Sequence, residues 1–194
     1  MRLKEAPGYA FRDFWAYKPK RYRWFYKLLS FCIAPALVYL CKSAEAIPVY
    51  TDRRYLLTVR ATLEKLENGK SIIIFPECHT RYNAIVNEFK EGFAELAAYY
   101  YKRYGKEISF VPVYIAPKIK KVVFGSPVKY DPSVPIEEQR LAICNHLKSE
   151  ITAAANSLPV HTVIPYANIP KKEYPVSQIS GKNSVRNIDF DIER

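Results

Sequence analysis

Cysteine is scarce in this chain and acidic residues are few. The 194 residues include four cysteines, Cys32, Cys41, Cys78 and Cys144, and no two of them form a CxxC pair. That excludes a common metal-ligand spacing, and the density is far below that of a secreted disulfide scaffold. The four read as free thiols in a reducing cytosol. Charges at Arg2, Lys4, Glu5, Arg12 and Asp13 interrupt the first 15 residues, which excludes a signal-peptide run there. No internal repeat is visible. The apolar run 28–41 (LLSFCIAPALVYLC) is 14 residues long with Pro35 inside it, too short by itself to span a bilayer.

What is present is a single domain's length with a real core. Hydrophobic residues make up 49% of the chain and charged residues 25%, which excludes disorder of the whole. Asp and Glu total 19 against 30 Lys and Arg, for a formal net charge of +11. More than half of that excess sits in residues 1–27, where eight Lys/Arg face only Glu5 and Asp13, among nine aromatic residues that include both tryptophans. Basic residues interleaved with Trp and Tyr suit an anionic membrane surface or a nucleic-acid strand. The apolar run that directly follows KPKRYRWFYK favours the membrane. A buried core helix kinked at Pro35 remains an equal alternative for the same segment.

Beyond residue 45 the pattern alternates. AIPVY (46–50) reads as a strand, Thr51-Asp52 as a helix cap, and Leu56, Val59, Leu63 and Leu66 as the apolar stripe of a helix ended by Asn68-Gly69. The β-branched run 71–75 then reads as a second strand, so strand, helix, strand predicts a parallel pair. After a loop over 76–87, Phe89, Phe93, Leu96, Ala97 and Tyr100 predict a helix closed near Gly105, and ISFVPVYI (108–115) a buried strand. Segments 122–124 and 128–130 predict an antiparallel edge. A third helix starts at Ser133 and Pro135, with Glu137-Glu138 in its first turn and a stripe at Leu141, Cys144, Leu147, Ile151 and Ala154. From Ser157 the prolines at 159, 165, 170 and 175 predict an extended strap and a frayed end. The expected fold is therefore α/β: a mixed, mainly parallel sheet flanked by helices. It divides into a membrane-contacting helical segment (1–45), an α/β core (46–156) and a Pro-rich strap and tail (157–194), as one domain overall.

The stretch IIIFPECHTR (72–81) places Glu77, Cys78 and His79 side by side just beyond the carboxyl end of the second expected strand, where ligand sites of alternating α/β chains lie. Adjacent residues of an extended chain point to opposite sides, so Cys78 and His79 are badly placed to act as nucleophile and base. Four segments in order, AIPVYTDRR (46–54), FPECHTR (75–81), FKEG (89–92) and FVPVYIAP (110–117), resemble the blocks of the glycerolipid acyltransferase family, typified by the 1-acyl-glycerol-3-phosphate acyltransferases. The resemblance covers roughly residues 14–130.

The resemblance implies transfer of an acyl group from acyl-CoA or acyl-ACP, a co-substrate rather than a bound cofactor, to a hydroxyl of lysophosphatidic acid or a related glycerol phosphate. It implies a bidentate phosphate fork at Arg54 with Arg53 beside it, a backbone-organising role for Glu77, and added positive charge from Lys90. Phe75, Pro76, Gly92, Val111 and Pro112 complete the expected substrate-binding set. The implied partners are an anionic membrane surface, a lysophospholipid acceptor and an acyl thioester donor, with no nucleic acid and no metal. The implied location is the cytoplasmic face of a membrane, peripheral or monotopic.

Departures from the family pattern bear on these expectations. Cys78-His79 replaces the usual Gly-Thr and shifts the arginine by one place, and Thr51 stands where an arginine often follows the I-P-V-Y strand. The larger departure is the first block, HxxxxD, whose His takes the acceptor hydroxyl's proton and whose Asp holds the imidazole. Five residues after His79, His146 and His161 come Ala84, Ile151 and Tyr166, so no catalytic residue is identifiable by that pattern. The simplest expectation is that Met1 lies just after the block, through a late start, a fragment, or a relative that has lost its base. The alternative function is an inactive lipid- or acyl-thioester-binding module at the membrane surface.

Overall fold

Residues 6–15, 18–50, 53–78, 85–166 and 170–177 are described by a computed structural model, the side chains of Asp13 and Glu173 excepted. The chain divides into two compact units, Met1–Leu66 with Asn168–Pro170 and Glu67–Ala167 with Lys171–Arg194.

In the first unit, helix α1 (Ala6–Phe14) packs on α2 (Arg23–Ser43) through small side chains. Ala6, Ala34 and Val38 form the buried cluster, and small residues let two helix backbones approach closely. Trp15 Nε1 donates to the buried Ser30 Oγ at 3.0 Å, Ser30 donates to the Tyr26 carbonyl, and the Trp15 ring stacks on Tyr26 at 4.9 Å. The sequence-based length of 14 counted only the apolar run. The helix itself has 21 residues, about 31 Å at 1.5 Å per residue, and with the 3-10 turn Lys20–Tyr22 it is long and apolar enough to cross a membrane by length and composition. A core helix passes the same test, but here only Ser30, Ala34 and Val38 are buried, while Trp24 and Tyr39 are each 70% exposed.

Helix α3 (Tyr55–Glu67) follows the predicted stripe at Val59 and Leu63, which are buried, whereas Leu56 is exposed. Its Thr58 hydroxyl donates to the Pro48 carbonyl and accepts from the Tyr50 N–H, tying segment 46–50 to the helix. The predicted cap Thr51-Asp52 lies outside the described residues.

In the second unit a 3-10 turn (Glu91–Ala94) leads into α4 (Glu95–Tyr104). Gly105 closes α4 at φ +65, a left-handed conformation that a side chain disfavours. The expected single strand over 108–115 is two short ones, β1 (Ser109–Phe110) and β2 (Val113–Ala116), separated by Val111-Pro112. Strand β3 (Lys121–Phe124) returns antiparallel on β2, and β4 (Val128–Lys129) antiparallel on β1. Helix α5 (Ile136–Ser157) begins after Pro135 with Glu137 and Glu138 in its first turn, as the sequence predicts. Its buried stripe is Ile143, Cys144, Leu147, Ala154 and Ala155, and Leu141 is exposed instead of buried.

The mixed α/β class holds, but the mainly parallel sheet does not: among the described residues both sheets are two-stranded and antiparallel. Segments 46–50 and 71–75, the expected parallel pair, are extended without a ladder partner among the described residues. A β-branched run specifies extended backbone, whereas a parallel ladder also needs both faces covered. Here Ile73 and Phe75 are 82% and 85% exposed.

Candidate functional site

Residues 76–78 and 88–90 form a short antiparallel pair. The Lys90 N–H donates to the Pro76 carbonyl at 2.8 Å, the Cys78 N–H to the Glu88 carbonyl at 2.8 Å, and Glu77 bridges Phe89 between them. Directly opposed residues of an antiparallel pair share a face and neighbours alternate. Glu77, Phe89 and Asn87 therefore lie on one face, and Cys78, Glu88 and Lys90 on the other.

The inward face is anchored by polar and apolar contacts. Glu77 Oε2 accepts from the Asn87 N–H at 3.2 Å and from Asn87 Nδ2 at 3.1 Å, and Asn87 is buried. Phe89 meets Phe93 edge-on, and Phe93 meets Phe110 of β1, beside the core residues Ala94, Ile143 and Leu147. Asn87 was not singled out by sequence, because an Asn in a loop is ordinarily read as a turn residue.

The outward face is braced by α5. Lys148 Nζ lies 2.6 Å from Glu88 Oε1, and Arg140 reaches Glu91 at 3.3 Å and Glu95 at 3.5 Å. Lys148 is mostly buried and Glu88 mostly exposed. Arg140, Cys144 and Lys148 recur at four-residue spacing, which places them along one side of α5. That spacing was legible, but nothing in it named the partner segment. Cys144 between them is buried, which pushes its thiol up to about 11, with Glu91 adding to the effect.

The expected site residues fall in both units. Arg53 and Arg54 belong to the first and are exposed, and the Arg54 guanidinium lies over the Tyr50 ring at 4.4 Å. The second unit holds the remainder. Pro76, Glu77 and Lys90 are brought together by the pair just described, and Lys90 is exposed. Gly92 is exposed in the 3-10 turn, and Phe75 stands out from the strip. Val111 and Pro112 join β1 to β2, with Val111 exposed and Pro112 buried, its carbonyl accepting from the Gly125 N–H at 2.9 Å. A β-carbon at Gly125 would meet Pro112 Cγ and Glu150 Oε2 at 2.9 Å, so this close approach needs glycine.

The reactive-looking groups divide as follows. The Cys78 thiol donates to the Glu88 carbonyl at 3.1 Å, while His79 and Arg81 lie outside the described residues. His146 Nε2 lies 2.9 Å from the Ser126 carbonyl, to which it donates, beside Glu150, whose carboxylate takes the Ser126 N–H at 2.6 Å. His161 is buried, with Nδ1 2.7 Å from the Pro159 carbonyl and Nε2 2.7 Å from the Tyr114 hydroxyl. In the neutral ring Nδ1 donates to the carbonyl and Nε2 accepts from the tyrosine, so both ring nitrogens are committed to structure. Among the described residues no cluster of three or more His, Cys, Asp or Glu side chains is placed to hold a metal.

A family model described as Acyltransferase matches residues 13–116 of this chain. No curated protein and no solved structure matches it.

Proposed function

The chain belongs to the acyltransferase family, and on that premise we propose that it acts in phospholipid synthesis, moving an acyl group from acyl-CoA or acyl-ACP to a hydroxyl of lysophosphatidic acid or a related glycerol phosphate. The observation that carries the reading is the family match over 13–116, which contains AIPVYTDRR, FPECHTR and FKEG in the order and register of a glycerolipid acyltransferase.

In this reaction a base takes the acceptor hydroxyl's proton, the oxygen attacks the thioester carbonyl, and the thiol leaves. Arg54, with Arg53, is the proposed fork for the acceptor phosphate, since a guanidinium matches two phosphate oxygens at once. Glu77 is the proposed organiser of the FPEC turn, a role supported by its two hydrogen bonds from Asn87. Lys90, exposed beside it, is the proposed second positive charge. Phe75, Pro76, Gly92, Val111 and Pro112 are proposed as the apolar and backbone lining. The partner surface is proposed to be an anionic membrane on its cytoplasmic side, met by the exposed Trp24, Phe25, Leu28 and Phe31 of α2 beside Lys20, Arg21 and Lys27.

A second reading, a lipid- or thioester-binding module without turnover, is favoured by one observation: no His in the 194 residues stands five places before an Asp. Transfer of labelled acyl groups from acyl-CoA and acyl-ACP to lysophosphatidic acid tests the first reading. Transfer that falls sharply in Arg54→Ala and Glu77→Ala supports it. Binding of lysophosphatidic acid without transfer selects the second reading, and neither binding nor transfer overturns both.

A further inference from the structure

The segment EFKE (88–91) is acidic by itself, since two carboxylates flank one lysine. An anionic group approaching Lys90 would meet a net negative strip. The structure removes that obstacle from outside the family-matched residues: on α5, Lys148 is paired with Glu88 and Arg140 with Glu91 and Glu95. With Glu95 counted beside Glu88 and Glu91, these two cations bring the cluster around Lys90 from a net charge of −2 to neutrality. Lys90 itself projects on the solvent side of the 76–78/88–90 pair, and among the described residues none holds its ammonium.

We propose that Arg140 and Lys148 are positioning residues that neutralise the carboxylates flanking Lys90 and hold its strand in place, so that the Lys90 ammonium meets a phosphate monoester with both flanking carboxylates already paired. The proposal rests on the acyltransferase reading for the role of Lys90 and for the identity of the anion. The brace acts in two ways. It cancels the field of Glu88 and Glu91 at Lys90, and it fixes the backbone of Glu88, whose carbonyl receives the Cys78 N–H and so sets the register of the pair. Because these pairs are partly exposed, solvent screens them, and each contributes modestly. The expected effect on binding is therefore graded rather than all-or-none.

Calorimetric titration of the full chain with glycerol 3-phosphate measures free phosphate monoester. Flotation with phosphatidylcholine vesicles containing lysophosphatidic acid, against phosphatidylcholine alone, measures the lipid-borne form. Lys148→Glu is expected to weaken binding about two- to fivefold, Lys148→Arg to retain it, and the swap Glu88→Lys with Lys148→Glu to restore it. In a Lys90→Ala background Lys148→Glu is expected to cause no further loss, which a general loss of fold would not reproduce. Coupling seen in both arms identifies the phosphate itself as the ligand, and coupling in the vesicle arm alone identifies the lipid-borne headgroup. An equal loss in both backgrounds, or no loss in either, overturns the proposal while leaving the acyltransferase reading intact. Failure of the unaltered chain to bind either probe removes the phosphate reading and this inference with it.

Discussion

The Glu77 carboxylate and Asn87 close the FPEC loop on each other: one oxygen, Oε2, accepts both the backbone N–H and the side-chain amide of Asn87. Asn87 is buried, so its donors have little access to water as a substitute. Glu77→Ala is therefore expected to cost about 1–3 kcal/mol of stability, and Glu77→Gln less, because the amide retains an acceptor oxygen. Urea denaturation of the three proteins measures this, and an unchanged midpoint in Glu77→Ala would remove the organising role.

Cys78 stands in the same pair, with its thiol bonded to the Glu88 carbonyl. A serine hydroxyl can donate to the same carbonyl, so Cys78→Ser should preserve both the pair and acyl transfer to within about twofold, the loss of one modest hydrogen bond at most. A nucleophilic thiol predicts the opposite, because the alcohol is far less nucleophilic at neutral pH. Loss of transfer in Cys78→Ser comparable to that in Glu77→Ala would reverse the reading of this residue.

Much of the helical structure was legible because amphipathic spacing is a local signal. Val59 and Leu63 of α3, Leu96, Ala97 and Tyr100 of α4, and the acidic first turn of α5 all stand where the spacing put them. The sheet was less legible. Runs such as 71–75 and 108–115 report extended backbone but carry no information about which strand lies alongside. Pro112, which has no N–H to give to a ladder, splits the second run into β1 and β2. Of the site, the motif residues Pro76, Glu77 and Lys90 were visible as a family pattern, and their mutual geometry follows from two short backbone pairings. Asn87, Arg140 and Lys148 were not visible, because their meaning depends on contacts 10 to 60 residues apart in the chain.

His161 and Tyr114 link the start of the proline-rich strap to β2. The ring nitrogen accepts the tyrosine hydroxyl, His161 N–H meets Ser177 Oγ, and the Ser177 N–H returns to the His161 carbonyl. Tyr114→Phe leaves Nε2 without its donor in a buried site and should cost about 1–3 kcal/mol. His161→Phe should cost a similar amount. The double variant should cost less than the sum, because replacing both partners leaves no orphaned polar atom. Thermal denaturation through this double-mutant cycle measures the coupling, and strict additivity would mean that the two side chains act separately.

Cys144 gives a dependence on alkaline pH whose sign is fixed by its burial. Its thiol is pushed from the ordinary 9.0 up to about 11 in the folded chain, chiefly by burial and secondarily by Glu91. The folded state therefore keeps a proton that the unfolded chain releases. The stability this contributes is fully present below about pH 9 and is lost as pH rises through about 11. Cys144→Ala removes the titrating group, so whatever its offset at pH 7, its stability should fall less steeply than that of the unaltered chain between those values. Tyr114, also raised by burial, titrates in both proteins and cancels in the difference. Parallel stability curves across this window would show that the thiol is not held neutral against α4 and the Glu91 turn.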